Sequence, residues 1–282
     1  MSTSARTPGP TSTPPAGTPG APHGPTSPPR TAVVLGAAAV LVGLLVYLIG
    51  LPRLLGQPGD TDVAGTALSS LSLPLALAIA LGGVWIAGSL AAPRAGWRVV
   101  DIVVASVLGV AGGLLFVVWN LNYGAISAPL STVPAIALLG GVWLLPAVLG
   151  GLVIRKPGAA VYTELVAAVL SALVGNQWGF STVWYGLIEG LWAEVVFAVL
   201  LYRRFGLPTA MVAGAVDGAV ISLCDLLLSY PTTSVTWKVT YVVCLAISGA
   251  VVAGAGSWAL TRALAATGAL APLASGRTAA RV

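Results

Sequence analysis

The chain has 282 residues, of which 57% are apolar and 7% charged. Soluble domains carry about 25% charged residues, so this composition excludes a soluble globular fold and calls for an exterior solvated by lipid. The net charge of +5 comes from 13 basic and 8 acidic residues; the basic ones cluster in short groups between apolar runs, which reads as membrane topology and not as a nucleic-acid surface.

Residues 1–30 are rich in Pro, Ser, Thr and Gly and hold His23, the sole histidine. Such a stretch buries too little to offset its ordering entropy, so a disordered tail is expected. It does not resemble the n-region of a signal peptide, and the first apolar run is expected to be retained. Eight apolar runs follow, at about 31–51, 67–92, 99–119, 133–154, 158–174, 183–202, 207–228 and 239–260. Each is long enough, or nearly so, to cross ~30 Å of hydrocarbon as a helix. Helix is preferred because a spanning segment must satisfy its own backbone, and the alternation of a membrane β-barrel is absent.

The basic residues orient these helices. Arg6 and Arg30 precede the first, and Arg94 and Arg98 the third. Arg155 and Lys156 follow the fourth, Arg203 and Arg204 the sixth, and Arg262, Arg277 and Arg281 the eighth. With eight helices all of these share one side, leaving Arg53 and Lys238 on the other. The expected arrangement therefore has both termini cytoplasmic, with 31–92 as two additional helices, 98–264 as a six-helix module and 265–282 as a cytoplasmic tail.

The outer ends of the last six helices carry aromatic rings and amides. One connection reads Trp119, Asn120, Leu121, Asn122, Tyr123; the next reads Asn176, Gln177, Trp178, Gly179, Phe180, with Trp184 and Tyr185 beyond; the third has Tyr230 and Trp237. An interfacial aromatic belt accounts for single rings. It does not account for amides on one side only, which a polar recognition pocket does.

Five carboxyls lie in the apolar runs beyond their first turn: Glu164, Glu189, Glu194, Asp217 and Asp225. No Lys or Arg lies deep in any run, so each acid is a functional candidate. At 1.5 Å per residue Glu189 lies ~9 Å and Asp225 ~5 Å below the outer end. Glu194 and Asp217 fall near the middle, and Glu164 lies nearer the inner side. Buried acids without bases are protonated, accept hydrogen bonds, or meet a cation from outside the chain. Protonated helix packing suits Glu164 and Asp217. Glu189, close to Trp192, suits a flat organic cation, and Glu194 is open to either role.

The third run places Ala105, Gly109 and Gly113 on one face, a spacing that lets another helix approach closely. That helix belongs either to this chain or to a separate subunit. Cys224 and Cys244 sit in apolar runs without a CxxC or Cys/His setting, so buried thiols are expected. No GxxxxGK[ST], HExxH or GxSxG motif occurs, so neither ATP hydrolysis nor catalysis is expected, and no metal or cofactor.

From about Arg98 to Arg277 the chain resembles the substrate-binding (S) subunits of energy-coupling factor (ECF) transporters, most of all the YkoE type. The resemblance rests on Val100-Asp101-Ile102-Val103-Val104-Ala105-Ser106-Val107-Leu108-Gly109, Trp143-Leu144-Leu145-Pro146 and Arg155-Lys156-Pro157-Gly158-Ala159. It rests also on Tyr162-Thr163-Glu164-Leu165, Gly175-Asn176-Gln177-Trp178-Gly179 and Ala193-Glu194-Val195-Val196-Phe197 with Tyr202-Arg203-Arg204. It implies an all-α membrane protein: a six-helix bundle that binds a vitamin, thiamine or its hydroxymethylpyrimidine precursor, at the extracytoplasmic face. It also implies a transmembrane coupling (T) subunit and two ATP-binding cassette ATPases as partners, with Ala105, Gly109 and Gly113 as the T-subunit contact. The cargo residues expected are Trp119, Asn120, Tyr123, Asn176, Gln177, Trp178, Glu189, Trp192, Glu194 and Asp225. The alternatives are an ion-coupled secondary transporter of a small organic cation, for which Glu194 and Asp217 would carry the ion, and a non-transporting membrane scaffold.

Overall fold

The computed structural model describes residues 96–279, together with Gly83 and Ile86. The tail at 1–30, the run 31–51 and nearly all of 67–92 lie outside the described residues, as do His23, Arg6, Arg30, Arg53, Arg94 and Arg281. Every regular element among the described residues is helical. Five segments are long and apolar enough to cross a membrane: Val99–Leu130, Pro134–Ile154, Ser181–Val199, Leu207–Leu228 and Val235–Ala266. A sixth, Ala159–Val174, is apolar but shorter.

Helix α1 (Val99–Ser127) starts where Asp101, three residues in, turns its carboxylate back to the Arg98 backbone N–H at 2.7 Å. The same carboxylate receives the Arg98 guanidinium at 2.9 Å and the Lys156 ammonium at 2.6 Å. Asp101 is 1% exposed, so this cluster ties the start of α1 to the loop that follows α2 (Leu145–Ile154). At 1.5 Å per residue α1 is ~43 Å long, beyond the ~30 Å hydrocarbon thickness. The sequence reading ends this helix at Trp119 and treats Trp119 to Tyr123 as a connection. The structure makes them helical turns, because no Gly or Pro interrupts the backbone there and Asn122 returns its amide to the Val118 carbonyl at 2.7 Å. The faces of α1 differ: Val103, Val107, Leu114 and Val118 are exposed, whereas Ala105, Gly109, Gly113 and Phe116 are buried.

The second segment is broken. A 3₁₀ stretch, Pro134–Val142, leads through Trp143 and Leu144 into α2. The break is legible in Pro134, the Gly140-Gly141 pair and Pro146, which weaken a continuous α-ladder. Freed backbone groups find side-chain partners. Ser248 accepts from the Gly141 N–H at 3.1 Å and donates to the Leu138 carbonyl at 2.5 Å. Glu164 accepts from the Ala147 N–H at 2.7 Å, a carboxyl at a helix start, where the dipole favours it.

Helices α3 (Ala159–Val174), α4 (Ser181–Val199) and α5 (Leu207–Leu228) follow. The last segment runs as α6 (Val235–Ser248), a π-helical stretch Gly249–Ala255 and α7 (Gly256–Ala266). Packing runs α1 on α3, α3 on α4, α4 on α5, and α5 on α6 and the π stretch. Small residues set these distances. A Cβ on Gly109 would stand 2.6 Å from Val166 Cβ, and one on Gly113 2.8 Å from Leu170 Cβ. The Ala105, Gly109 and Gly113 face is therefore taken by packing within this chain, chiefly against α3. Short α8 (Ala274–Ala279) closes the described residues, with Leu270 and Leu273 before it buried against Ala105, Leu149 and Ile154. Cys224 is buried, Cys244 half-buried, and both are free.

Candidate functional site

A cavity of ≈ 460 Å³ lies between the 3₁₀ stretch, α1, α4, α5 and α6. Its wall begins with Tyr123, from the last turns of α1. The break in the second segment adds Trp143, and the turn before α4 adds Trp178. The three rings touch: Tyr123 to Trp143 is 5.0 Å between centroids, Tyr123 to Trp178 5.4 Å, and Trp143 to Trp178 5.4 Å at 89°. Edge-to-face contact of this kind holds rings in place while leaving faces for a planar guest.

The acids lie elsewhere on the same wall. Tyr185 and Glu189 are four residues apart on α4 and so share a face, and Asp225 comes from α5. Asp225 accepts from the Tyr241 hydroxyl at 2.9 Å. Tyr241 stacks on Trp237 at 5.2 Å, and Tyr230 leans on both. Burial first, and the Asp225 charge second, push the Tyr230 phenol above its usual range. Glu189 and Asp225 thus face one cavity. No Lys or Arg is among the described lining residues, and the ion pairs among the described residues both fall on Asp101. Two carboxyls beside aromatic faces, with no internal base, form a setting for a cationic or hydrogen-donating guest.

Of the residues expected from sequence, Tyr123, Trp178, Glu189 and Asp225 line this cavity. Asn120 lies behind it, accepting from Trp143 Nε1 at 3.0 Å and donating to Ser171 at 3.1 Å. Asn176 shapes the turn: its oxygen accepts from the N–H groups of Trp178 and Gly179, both at 2.9 Å. Gln177 is exposed. Trp119 packs edge-on against Trp143 at 6.2 Å, and the indole nitrogens of Trp119 and Trp192 are buried without a hydrogen-bond partner. Glu194 is away from the cavity. Its carboxylate accepts from the Gly158 and Ala160 N–H groups, each at 2.8 Å, and from the Tyr202 hydroxyl, so it caps the start of α3. Trp143, Tyr185 and Tyr241 also line the cavity and lie outside the set of cargo residues expected from sequence. Trp143 reaches the cavity through the helix break, and the Pro/Gly spacing around it was the available signal.

Comparison with known proteins fits this geometry. The family described as "ABC-type cobalt transport system, permease component" matches residues 100–220. A "Putative HMP/thiamine permease protein YkoE" from Bacillus subtilis (strain 168) is 32% identical over 182 residues, which is 64% of this chain and 91% of the relative. The crystal structure of an S-component of ECF transporter superposes with a TM-score of 0.63 at 30% identity, covering 66% of this chain and 94% of the other. The chain belongs to the ECF S-components of the YkoE type. As an S-component it is a multi-pass membrane transporter subunit and not an enzyme. Its cavity is assembled from the ends of several spanning segments, and the broken second segment follows the rule that irregular backbone at membrane depth lines a cavity.

Proposed function

We propose that this S-component captures thiamine or its hydroxymethylpyrimidine precursor at the extracytoplasmic face and hands it to an ATP-driven ECF importer. The observation that carries the reading is the pairing of Glu189 and Asp225 with Trp143, Trp178 and Tyr123 around one cavity. Thiamine offers a fixed positive charge and an aminopyrimidine ring, one suited to a carboxylate and both to aromatic faces. The name of the Bacillus relative, an HMP/thiamine permease protein, supports the same cargo. The family description naming cobalt supports a different one, but among the described residues no three His, Cys, Asp or Glu side chains converge to hold a metal. An organic cation is therefore the better fit.

The finer architecture belongs to the same proposal: six crossings in the module, two more before it, and both termini cytoplasmic. It is supported by the gathering of Arg and Lys in alternate connections, the pattern of cytoplasmic loops. A transmembrane coupling subunit and two ATPases complete the importer, because the sequence carries no phosphate-binding loop of its own. Titrating the purified protein with thiamine while following tryptophan emission tests the cargo. Saturable quenching is expected, and a flat response to both thiamine and hydroxymethylpyrimidine would remove the proposal. Gradient-driven uptake by this chain alone in liposomes would instead favour the ion-coupled carrier.

A further inference from the structure

Two walls of the cavity hang from one buried serine. Ser171, on α3, is 0% exposed and does not line the cavity. Its oxygen meets the Asn120 amide nitrogen at 3.1 Å and the Asn176 amide nitrogen at 3.2 Å. Asn120 then receives Trp143 Nε1, and Asn176 receives the backbone of Trp178 and Gly179 and the Thr182 hydroxyl at 3.1 Å.

The orientation of both amides is fixed by chemistry. An indole N–H and a backbone N–H only donate, so Asn120 must turn its oxygen to Trp143 and Asn176 its oxygen to the turn. Both NH₂ groups are then left facing Ser171: its hydroxyl oxygen accepts from each, and the Asn176 amide also reaches the Ser171 backbone carbonyl at 3.3 Å, so the hydroxyl carries the Asn120 arm alone and shares the Asn176 arm. A serine hydroxyl has two lone pairs for this; alanine has none, and a cysteine sulfur accepts weakly. A helical serine usually spends its hydroxyl on its own helix, whereas this one joins α1 to the turn before α4.

We infer that Ser171 is a positioning residue for cargo binding: it holds Trp143 and Trp178 in register through Asn120 and Asn176. Trp143 arrives from a helix break and Trp178 from an irregular turn, so neither indole is fixed by a continuous α-ladder. The ring separation that results decides which planar guests fit. This use of the network rests on the cargo reading above, while the network itself is measurable without any cargo.

The test uses the full chain in lipid nanodiscs, with Ser171→Ala, Ser171→Cys and Ser171→Thr. Without cargo, Ser171→Ala should speed amide exchange at Trp178 and Gly179 by about tenfold, the loss of roughly one hydrogen bond. It should also change the indole N–H signature of Trp143 in resonance Raman, identified by its absence from Trp143→Phe. With thiamine as probe, affinity should fall about tenfold, and Ser171→Thr should restore all three readouts. Where Ser171→Ala does not fold, Ser171→Cys is expected to give the same paired changes. A folded Ala or Cys variant with unchanged exchange and an unchanged Trp143 signature overturns the inference. Paired changes in a protein that never binds thiamine would support the network and overturn the cargo reading instead.

Discussion

The Tyr202 hydroxyl donates to the Glu194 carboxylate at 2.5 Å, and it does so from a backbone that side chains rarely adopt. Leu201 and Tyr202 both have left-handed φ, 53° and 52°. Isolated left-handed non-glycine residues cost on the order of 1–3 kcal/mol and persist where surrounding contacts hold them. Here the holding contact is a buried carboxylate that also satisfies the first N–H groups of α3. Glu194→Ala strands those donors, each worth ~1–3 kcal/mol when buried without a partner. We expect thermal unfolding in detergent to move to clearly lower temperature. Tyr202→Phe should cost about 1 kcal/mol. Cargo affinity of the folded Glu194→Ala fraction should stay close to wild type. A large affinity loss with unchanged stability would make Glu194 a cargo contact.

Glu189 and Asp225 should behave in the opposite way. Both line the cavity, and Glu189 is buried without a basic neighbour among the described residues. Replacing the acid should relieve the cost of burying it and remove the attraction that its ionised form offers a cation. Glu189→Gln is therefore expected to leave stability equal or higher while weakening thiamine binding by about tenfold or more, ~1.4 kcal/mol. Asp225→Asn should weaken binding similarly, and Tyr241→Phe less. Trp178→Ala should also weaken binding, and Trp258→Ala, on α7 beside Arg262, should not. Isothermal titration across the set checks the order, and equal losses in all of them would mean the cargo sits elsewhere.

The helical segments and the acids among them could be read from apolar run length and the cost of charge in lipid. The backbone breaks were less accessible. Pro134, Gly140, Gly141 and Pro146 are plain in the sequence, yet only three-dimensional packing shows that the break turns Trp143 into the cavity. In the sequence the amides sit beside aromatic rings, which makes them look like ligand contacts. In the structure Asn120 and Asn176 are satisfied by an indole, a serine and backbone N–H groups. A buried amide needs such partners as much as a cargo does, and sequence proximity does not distinguish the two uses. Glu194 raises the same issue: its partners Gly158 and Ala160 lie 36 and 34 residues away.

The absence of basic side chains from the described cavity wall makes a specificity prediction. A phosphate ester adds negative charge to a guest that must sit beside Glu189 and Asp225. Like charges at close range in a desolvated site cost several kcal/mol. Thiamine monophosphate should compete with thiamine at least about tenfold more weakly, and the gap should narrow in Glu189→Gln. Competition measured by tryptophan quenching decides this. Equal affinity of the two compounds in the wild type would point to a cation at the cavity mouth, where Lys238, whose ammonium donates to the Pro231 carbonyl beside Tyr230, is the candidate among the described residues.

The small-residue face of α1 offers a last test, because two uses of it differ in what they need from other subunits. Ala105 is 0% exposed, and a Cβ at Gly109 would approach Thr163 O to 2.9 Å as well as Val166. Overpacking of this kind costs roughly 1–3 kcal/mol. Gly109→Ala should therefore lower the stability of the isolated chain, with no partner present. Val107→Ala, on the exposed face of the same helix, should change it by less than about 0.5 kcal/mol. If the face instead served a coupling subunit, Gly109→Ala would leave the isolated chain intact and impair only assembly. Thermal unfolding of the lone chain and co-purification with its partner subunits, measured on the same variants, separate the two.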